Sequence, residues 1–315
     1  MTQDTTLRVL HLTTAEEIFF TQQIEALEQR GVDCTVLSVP GIDQIDGNLA
    51  EKRGIKEYIQ YFSMVRRELR RGEYDIVHAN NGLTAPYAAM QFALPTVLTL
   101  WGSDVIGFDG LVTKACAWRF DAITVRSEEM RELLGRDDAI ILPSGINLDR
   151  FKPIDKRKAR AYVGWEQEQI HVLFPYAPDY ERKNYPLAQR VVMQVEDELG
   201  TQINLQTISG VPHEDVAYYM NAADAVLLTS DHEGSPNTVK EAMACNVPVV
   251  STDVGDVRER LADVELGGVG SNENELVHLL AKVVNSGSRS NGREVVSEVS
   301  WDKIGQKLHI IYQKI

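Results

Sequence analysis

Cysteine is scarce in this 315-residue sequence: Cys34, Cys116 and Cys245 are the only three, far apart and without a C-x-x-C pair. That spacing supports neither a disulfide framework nor a zinc ribbon, so reduced, buried thiols are expected. No run of about eighteen apolar residues occurs, and no membrane-spanning helix is expected. The opening residues, Met1-Thr2-Gln3-Asp4, show no basic stretch leading into an apolar one, so no secretory leader is expected and the cytoplasm is the expected location. Positive charge is also in short supply, with 32 Lys and Arg against 46 Asp and Glu, a net charge of −14. Phosphate backbones need basic surface, so nucleic acid is excluded as the main partner. The sequence has no P-loop, no G-x-S-x-G elbow and no G-x-G-x-x-G dinucleotide turn. No cluster has metal-ligand spacing, so neither a metal nor a cofactor is expected.

What is present is an ordinary globular composition, 43% hydrophobic and 25% charged, in a chain long enough for two domains. Short apolar runs alternate with helical patterns. Strands are expected at 8–12, 34–39, 74–79, 96–100, 122–125 and 139–142, with helices at 19–30, 55–71, 87–94 and 114–120 between them. A breaker-rich stretch, Pro143 to Pro153, interrupts the pattern. Alternation resumes with strands at 171–174, 205–208, 225–229 and 247–251, and helices at 156–163, 186–199, 214–220, 236–244, 257–261, 275–285 and 302–313. Such alternation implies βαβ units and parallel sheets, hence an α/β fold of two doubly wound domains. Residues 1–148 form the expected first domain and 149–300 the second. In two such domains the carboxyl ends of the strands would face a cleft.

The segment from Ser230 to Met243 carries the most chemistry. It sets Glu233 and Glu241 eight residues apart, around Gly234-Ser235-Pro236-Asn237-Thr238. Ser235 is expected to cap a helix and Pro236 to take its first position. The N–H groups that follow could then face an anion. A ligand with a phosphate and several hydroxyls, such as a nucleotide-sugar, suits that arrangement.

This segment, continuing through Cys245 to Asp256, resembles the paired-glutamate signature of the family 4 retaining glycosyltransferases, in which seven residues separate the two glutamates. The likeness runs from the first strand to the last helix near Trp301. It implies the GT-B architecture, two Rossmann-like domains facing across a cleft, with the last helix (about 301–315) returning to the first domain. It also implies metal-independent, hexosyltransferase-type transfer from a nucleotide-diphosphate sugar to a glycan, lipid-linked or small-molecule acceptor. By resemblance, Glu241 would hold the ribose hydroxyls and Glu233 would face the transferred sugar. Backbone N–H groups near Ser235, Asn237 and Thr238 would bind sugar hydroxyls and phosphate. A nucleotide-sugar epimerase on the same architecture and a non-catalytic sugar-nucleotide-binding relative are the alternatives.

Lys183 matches the family's phosphate-binding lysine. The family's arginine usually lies nearer Ala177, and Arg182 is the candidate substitute for stabilising a leaving diphosphate. Leu98 to Asp104 resembles the family's histidine-glycine-x-aspartate segment, but Trp101 stands in the histidine's place. Trp101 and Asp104 are read as acceptor-side wall residues. Thr13 and Thr14 follow the first strand where many relatives carry a glycine-rich loop, and are read as acceptor-side hydroxyls. His78 and His232 are candidate bases, and Val211, in Gly210-Val211-Pro212, is a candidate for the edge that meets the nucleotide base. Arg66, Arg67, Arg70 and Arg71 lie on one helix with Tyr58, Tyr61 and Phe62. Such a face could dock on the anionic inner face of a membrane.

Overall fold

The computed structural model describes residues 6–41 and 54–315. The chain divides into two compact units, one of residues 1–145 with 301–315, the other of residues 146–300.

In the first unit the order is β1 (Arg8–Thr13), α1 (Ile18–Glu28), β2 (Asp33–Ser38), α2 (Ile55–Arg71), β3 (Ile76–Ala79), α3 (Ala85–Ala89), β4 (Thr96–Thr99), α4 (Gly107–Ala117), β5 (Ala122–Val125), α5 (Glu128–Leu134) and β6 (Ile140–Ile141). The six strands form one sheet in the order β2-β1-β3-β4-β5-β6, and every pairing is parallel. Parallel strands covered on both faces read as continuous apolar runs. Leu10, Leu12, Val77, Leu98, Ile123 and Val125 accordingly form the centre of the core. Each such side chain contributes about 1.5–3 kcal/mol when fully buried. Helix α2 shows why its neighbours differ in fate: Tyr61 and Val65 are buried, and the Tyr61 hydroxyl donates to Leu37 O at 2.7 Å. Arg66, Arg67, Arg70 and Arg71 are exposed. Tyr61 therefore belongs to the core and not to the basic face.

The second unit runs α6 (Lys156–Val163), β7 (Ile170–Phe174), α7 (Tyr185–Leu199), β8 (Ile203–Thr207), α8 (Val216–Ala222), β9 (Ala225–Leu228), α9 (Asn237–Ala244), β10 (Val249–Thr252), α10 (Val257–Leu261), β11 (Gly267–Gly270), α11 (Glu273–Ser286) and α12 (Gly292–Val296). Its sheet, again parallel, has the order β11-β10-β9-β7-β8. Asp224 ties the N-terminal side of this unit together. Its carboxylate accepts from Arg160 Nη2 at 2.7 Å, Lys156 Nζ at 2.8 Å and His171 N at 2.8 Å.

The last helix, α13 (Trp301–Lys314), belongs to the first unit. Trp301 Nε1 donates to Gln22 Oε1 at 2.7 Å, and Arg30 pairs with Asp302 at 2.6 Å. Gly145 allows the Trp301 ring to approach: a Cβ there would sit 2.3 Å from an indole carbon.

Some sequence expectations are corrected. Strand β11 and helices α5 and α12 lie outside the expected elements, because Gly267-Gly268-Val269-Gly270 reads as a turn and the two helices span two turns or fewer. Helices α3 and α4 begin earlier than expected. Helix α9 starts at Asn237, with Pro236 at its N-cap, so Ser235 does not cap it.

Candidate active site

In the second unit β7 and β9 are neighbours, but the chain leaves β7 toward β8 on one side and returns to β9 on the other. Such a switch leaves a crevice beyond the carboxyl ends of the two strands, which is where open α/β sheets bind ligands. The two loops that leave those ends are 175–184 and 229–236. They are stitched together. Thr229 Oγ1 reaches the carbonyls of Lys183 and Asn184, each at 3.0 Å, Asp231 N donates to Arg182 O at 3.0 Å, and Asn184 Nδ2 donates to Asp231 Oδ1 at 2.9 Å. Asn184 also caps α7, its side chain accepting from Leu187 N.

This stitching fixes Lys183 in a buried position against Glu233. Lys183 Nζ lies 2.5 Å from Glu233 Oε1, and the two side chains are 11% and 15% exposed. Ser230 Oγ donates to the same oxygen at 2.7 Å. The ammonium also sits 4.0 Å from the centre of the Tyr176 ring, within cation–π range. Tyr176 in turn reaches Thr238 Oγ1 at 2.7 Å. Burial, reinforced by the charges of Glu233 and Glu241, pushes the Tyr176 phenol well above its usual range, so it stays protonated. The fork formed by Lys183, Glu233 and Tyr176 thus joins one loop to the first turn of α9.

The turn before α9 is held from beneath. Ser235 Oγ donates to Asp256 Oδ2 at 2.8 Å and accepts from the fully buried Lys240 at 3.0 Å, while Asp256 pairs with Arg260 at 3.2 Å. Gly255, at φ +54°, packs against this turn, and a Cβ there would lie 2.3 Å from Gly234 O. The first-turn N–H groups of α9 receive no side-chain cap from Pro236. Four residues into the helix, Glu241 is 7% exposed and 3.5 Å from His213 Nε2. Arg150 Nη1 donates to His213 Nδ1 at 2.6 Å. A guanidinium can only donate, so His213 carries its proton on Nε2 and aims it at Glu241.

Among the other residues singled out from sequence, Arg182 is exposed and donates to the Tyr180 hydroxyl at 2.6 Å, whereas the neighbouring Lys183 takes Glu233. His232 is exposed and Val211 half-buried. In the first unit Thr13 Oγ1 donates to Ala15 O at 2.8 Å, and Thr14 Oγ1 accepts from Asn81 Nδ2 at 2.7 Å. Asp104 is buried and accepts from the N–H groups of Gly82 at 2.9 Å and Trp101 at 2.7 Å, so it builds the turn; burial raises its pKa. Trp101 is half-buried against Phe19 and Arg126. His78 is corrected outright: it is fully buried, with Nδ1 2.5 Å from the Tyr312 hydroxyl and Nε2 2.7 Å from Thr99 Oγ1. Burial pushes its pKa well down, so it is a neutral interior residue. Sequence reasoning missed Tyr176, Lys240, Asp256 and His213. Only His213 had an available signal, its place directly after Val211-Pro212.

Comparison with known proteins agrees with this geometry. The family model for glycosyl transferases group 1 matches residues 192–296, and that for Glycosyltransferase Family 4 matches residues 17–150. TuaC of Bacillus subtilis strain 168, a glycosyltransferase named for teichuronic acid biosynthesis, is 26% identical over 304 residues, covering 77% of this chain and 78% of its own. The sucrose-phosphate synthase of Thermosynechococcus elongatus superposes with a TM-score of 0.74 at 18% identity, covering 98% of each chain. Anabaena Alr3699/HepE in complex with UDP-glucose gives 0.67 at 14% identity, covering 98% of this chain and 100% of that one. The two family models fall on the two units in turn, and the parallel six- and five-stranded sheets are those of GT-B proteins: the chain belongs to the group 1, family 4 glycosyltransferases.

Proposed function

We propose that the second unit binds a nucleoside-diphosphate hexose, and that the enzyme transfers the hexose with retention to an acceptor taken by the first unit. The observation that carries this reading is the Lys183–Glu233 pair at the β7/β9 switch point. A diphosphate arriving there competes for the ammonium and frees Glu233 for a sugar hydroxyl. Lys183 and the N-terminal end of α9 then offset the negative charge that grows on the departing diphosphate, which is electrostatic stabilisation of the transition state. Those fixed charges do the work a divalent ion would otherwise do, so turnover is expected to survive EDTA. Glu241, oriented by His213, suits the ribose diol.

UDP is the first donor base to test, because HepE is described in complex with UDP-glucose. The acceptor belongs to the glycan, lipid-linked or small-molecule classes. For a lipid-linked acceptor, the exposed Arg66, Arg67, Arg70 and Arg71 of α2, with the exposed Ile55 and Ile59 on the same helix, offer a peripheral contact with anionic lipid. The test is donor turnover. Labelled UDP-glucose should be hydrolysed or transferred by the protein, NMR should show the released or transferred sugar first as the α-anomer, and Lys183→Ala should abolish both. Binding without turnover of any nucleotide-sugar would sink the reading.

A further inference from the structure

Arg126 follows β5 and heads the fully buried side chains ranked by size, at 1% exposure. Its Nη1 donates to Leu142 O at 2.7 Å. Its Nε and Nη2 have no hydrogen-bond partner among the described residues. The acid that acts on it is Asp104, whose oxygens accept from the N–H groups of Gly82 and Trp101 and make no hydrogen bond to the guanidinium. The other titratable neighbour, His78, is neutral. Burial lowers the Arg126 guanidinium to about 9, so it remains a cation at neutral pH. A buried cation with idle donors is costly to keep, and side chains that are costly to the fold cluster where a ligand repays them.

The surroundings say what would repay it. The planar guanidinium fork fits a carboxylate or phosphate in two-point contact. Arg126 stands at the carboxyl end of its parallel strand, beside the end of β4, the edge of the sheet where ligands bind. Its cover on that side is the Trp101 ring, centred 3.5 Å from Arg126 Cζ. Trp101 is only half-buried, and the next residue, Gly102, has open space where a side chain would be.

We propose that Arg126 is a covered receptor for an oxyanion, a carboxylate or phosphate borne by the acceptor, and that the Trp101 indole swings off the guanidinium when the anion docks. The proposal rests on the reading that the first unit takes the acceptor, and it adds that the acceptor is acidic.

Calorimetric titration of the whole chain in saturating UDP tests it, with glucuronate, glucose 1-phosphate, inorganic phosphate and neutral glucose as probes. At least one anionic probe should bind and glucose should not; glucuronate against glucose 1-phosphate tells a carboxylate from a phosphate. Arg126→Met should weaken the anion by about ten- to hundredfold, the loss of one charge-assisted two-point contact. Its melting temperature should stay within a few degrees of the wild type, since the lost bond to Leu142 O and the lost contact with Trp101 are offset by removing a buried cation with two idle donors. Arg126→Lys should keep part of the affinity, and Trp101→Ala should bind inorganic phosphate more tightly because the cover is gone. Equal anion affinity in the wild type and Arg126→Met overturns the proposal, as does a wild type that binds no anion. If the Met variant does not fold, unchanged affinity in both Arg126→Lys and Trp101→Ala overturns it. Absence of a thermal shift with UDP in the wild type counts instead against the donor reading of the second unit, and the Arg126 comparison is then made without UDP.

Discussion

Replacing Lys183 with Met removes one half of a nearly dry ion pair. Losing one partner of a buried pair costs about 3–5 kcal/mol, whereas exposed pairs are worth under about 1 kcal/mol. Exposures of 11% and 15% put Lys183 and Glu233 near the buried limit. Ser230 still donates to the stranded carboxylate, which puts the expected loss at the lower edge, about 3 kcal/mol. For a unit of this size that is a fall in melting temperature of about 6–12 °C. Adding Glu233→Gln neutralises the stranded charge and should return stability to within about 1 kcal/mol of the wild type, a recovery of about 2 kcal/mol over the single Lys183→Met variant. The four tryptophans make the measurement unit-specific: Trp165 lies in the second unit and Trp101, Trp118 and Trp301 in the first. Urea unfolding of 5-fluorotryptophan-labelled protein, followed by fluorine NMR, should show the Trp165 transition move and the other three stay. Stabilisation by UDP should vanish in both variants. A neutral Lys183→Met, or a double variant no better than the single, refutes the reasoning.

Three further outcomes are expected. His11, fully buried, has its pKa lowered from 6.5 to about 3, and His78 shifts in the same direction. Their unfolded forms bind protons below about 6.5 while the folded forms do not, so the first unit keeps full stability above that pH. It should lose about 1.4 kcal/mol per unit and per histidine as pH falls toward 3, visible as falling urea midpoints for the Trp301 signal. Asp224→Ala should destabilise the second unit by about 3–5 kcal/mol in the same assay, because Arg160, 4% exposed, is left without its counter-ion. Gly255→Ala should weaken UDP binding by about tenfold or more while the protein still folds, since its new methyl must push Gly234 O away and shift the turn before α9; unchanged affinity by calorimetry contradicts the account of that turn.

Elements whose determinants are local were legible in the sequence. Helix α2 was read with its observed bounds, because Gly54 and Gly72 flank a strongly amphipathic run. Helices α6 and α10 and strand β5 were read likewise. The start of α9 was not, because the hydroxyl of Ser235, a good cap by type, is drawn off by Asp256, a partner 21 residues away. The same limit applies to the site. The segment holding Glu233 and Glu241 stood out by composition, as did the loop with Lys183. Nothing in the sequence announces that Tyr176 lies against that lysine or that Arg150 sets the tautomer of His213. These depend on which strand ends the topology brings side by side. His78 failed for a related reason: its partners, Tyr312 and Thr99, are 234 and 21 residues away, and a strand-end position alone does not reveal a ring turned inward.

Helix α13 gives the protein an order of assembly. The ring of His78 and the groove that takes Trp301 are made before the second unit, yet their partners lie in a helix made after it. Until that helix emerges from the ribosome, the first unit lacks the partners of His78 and of this groove. The middle unit, continuous in sequence, has no such delay and is free to fold ahead of the unit that precedes it.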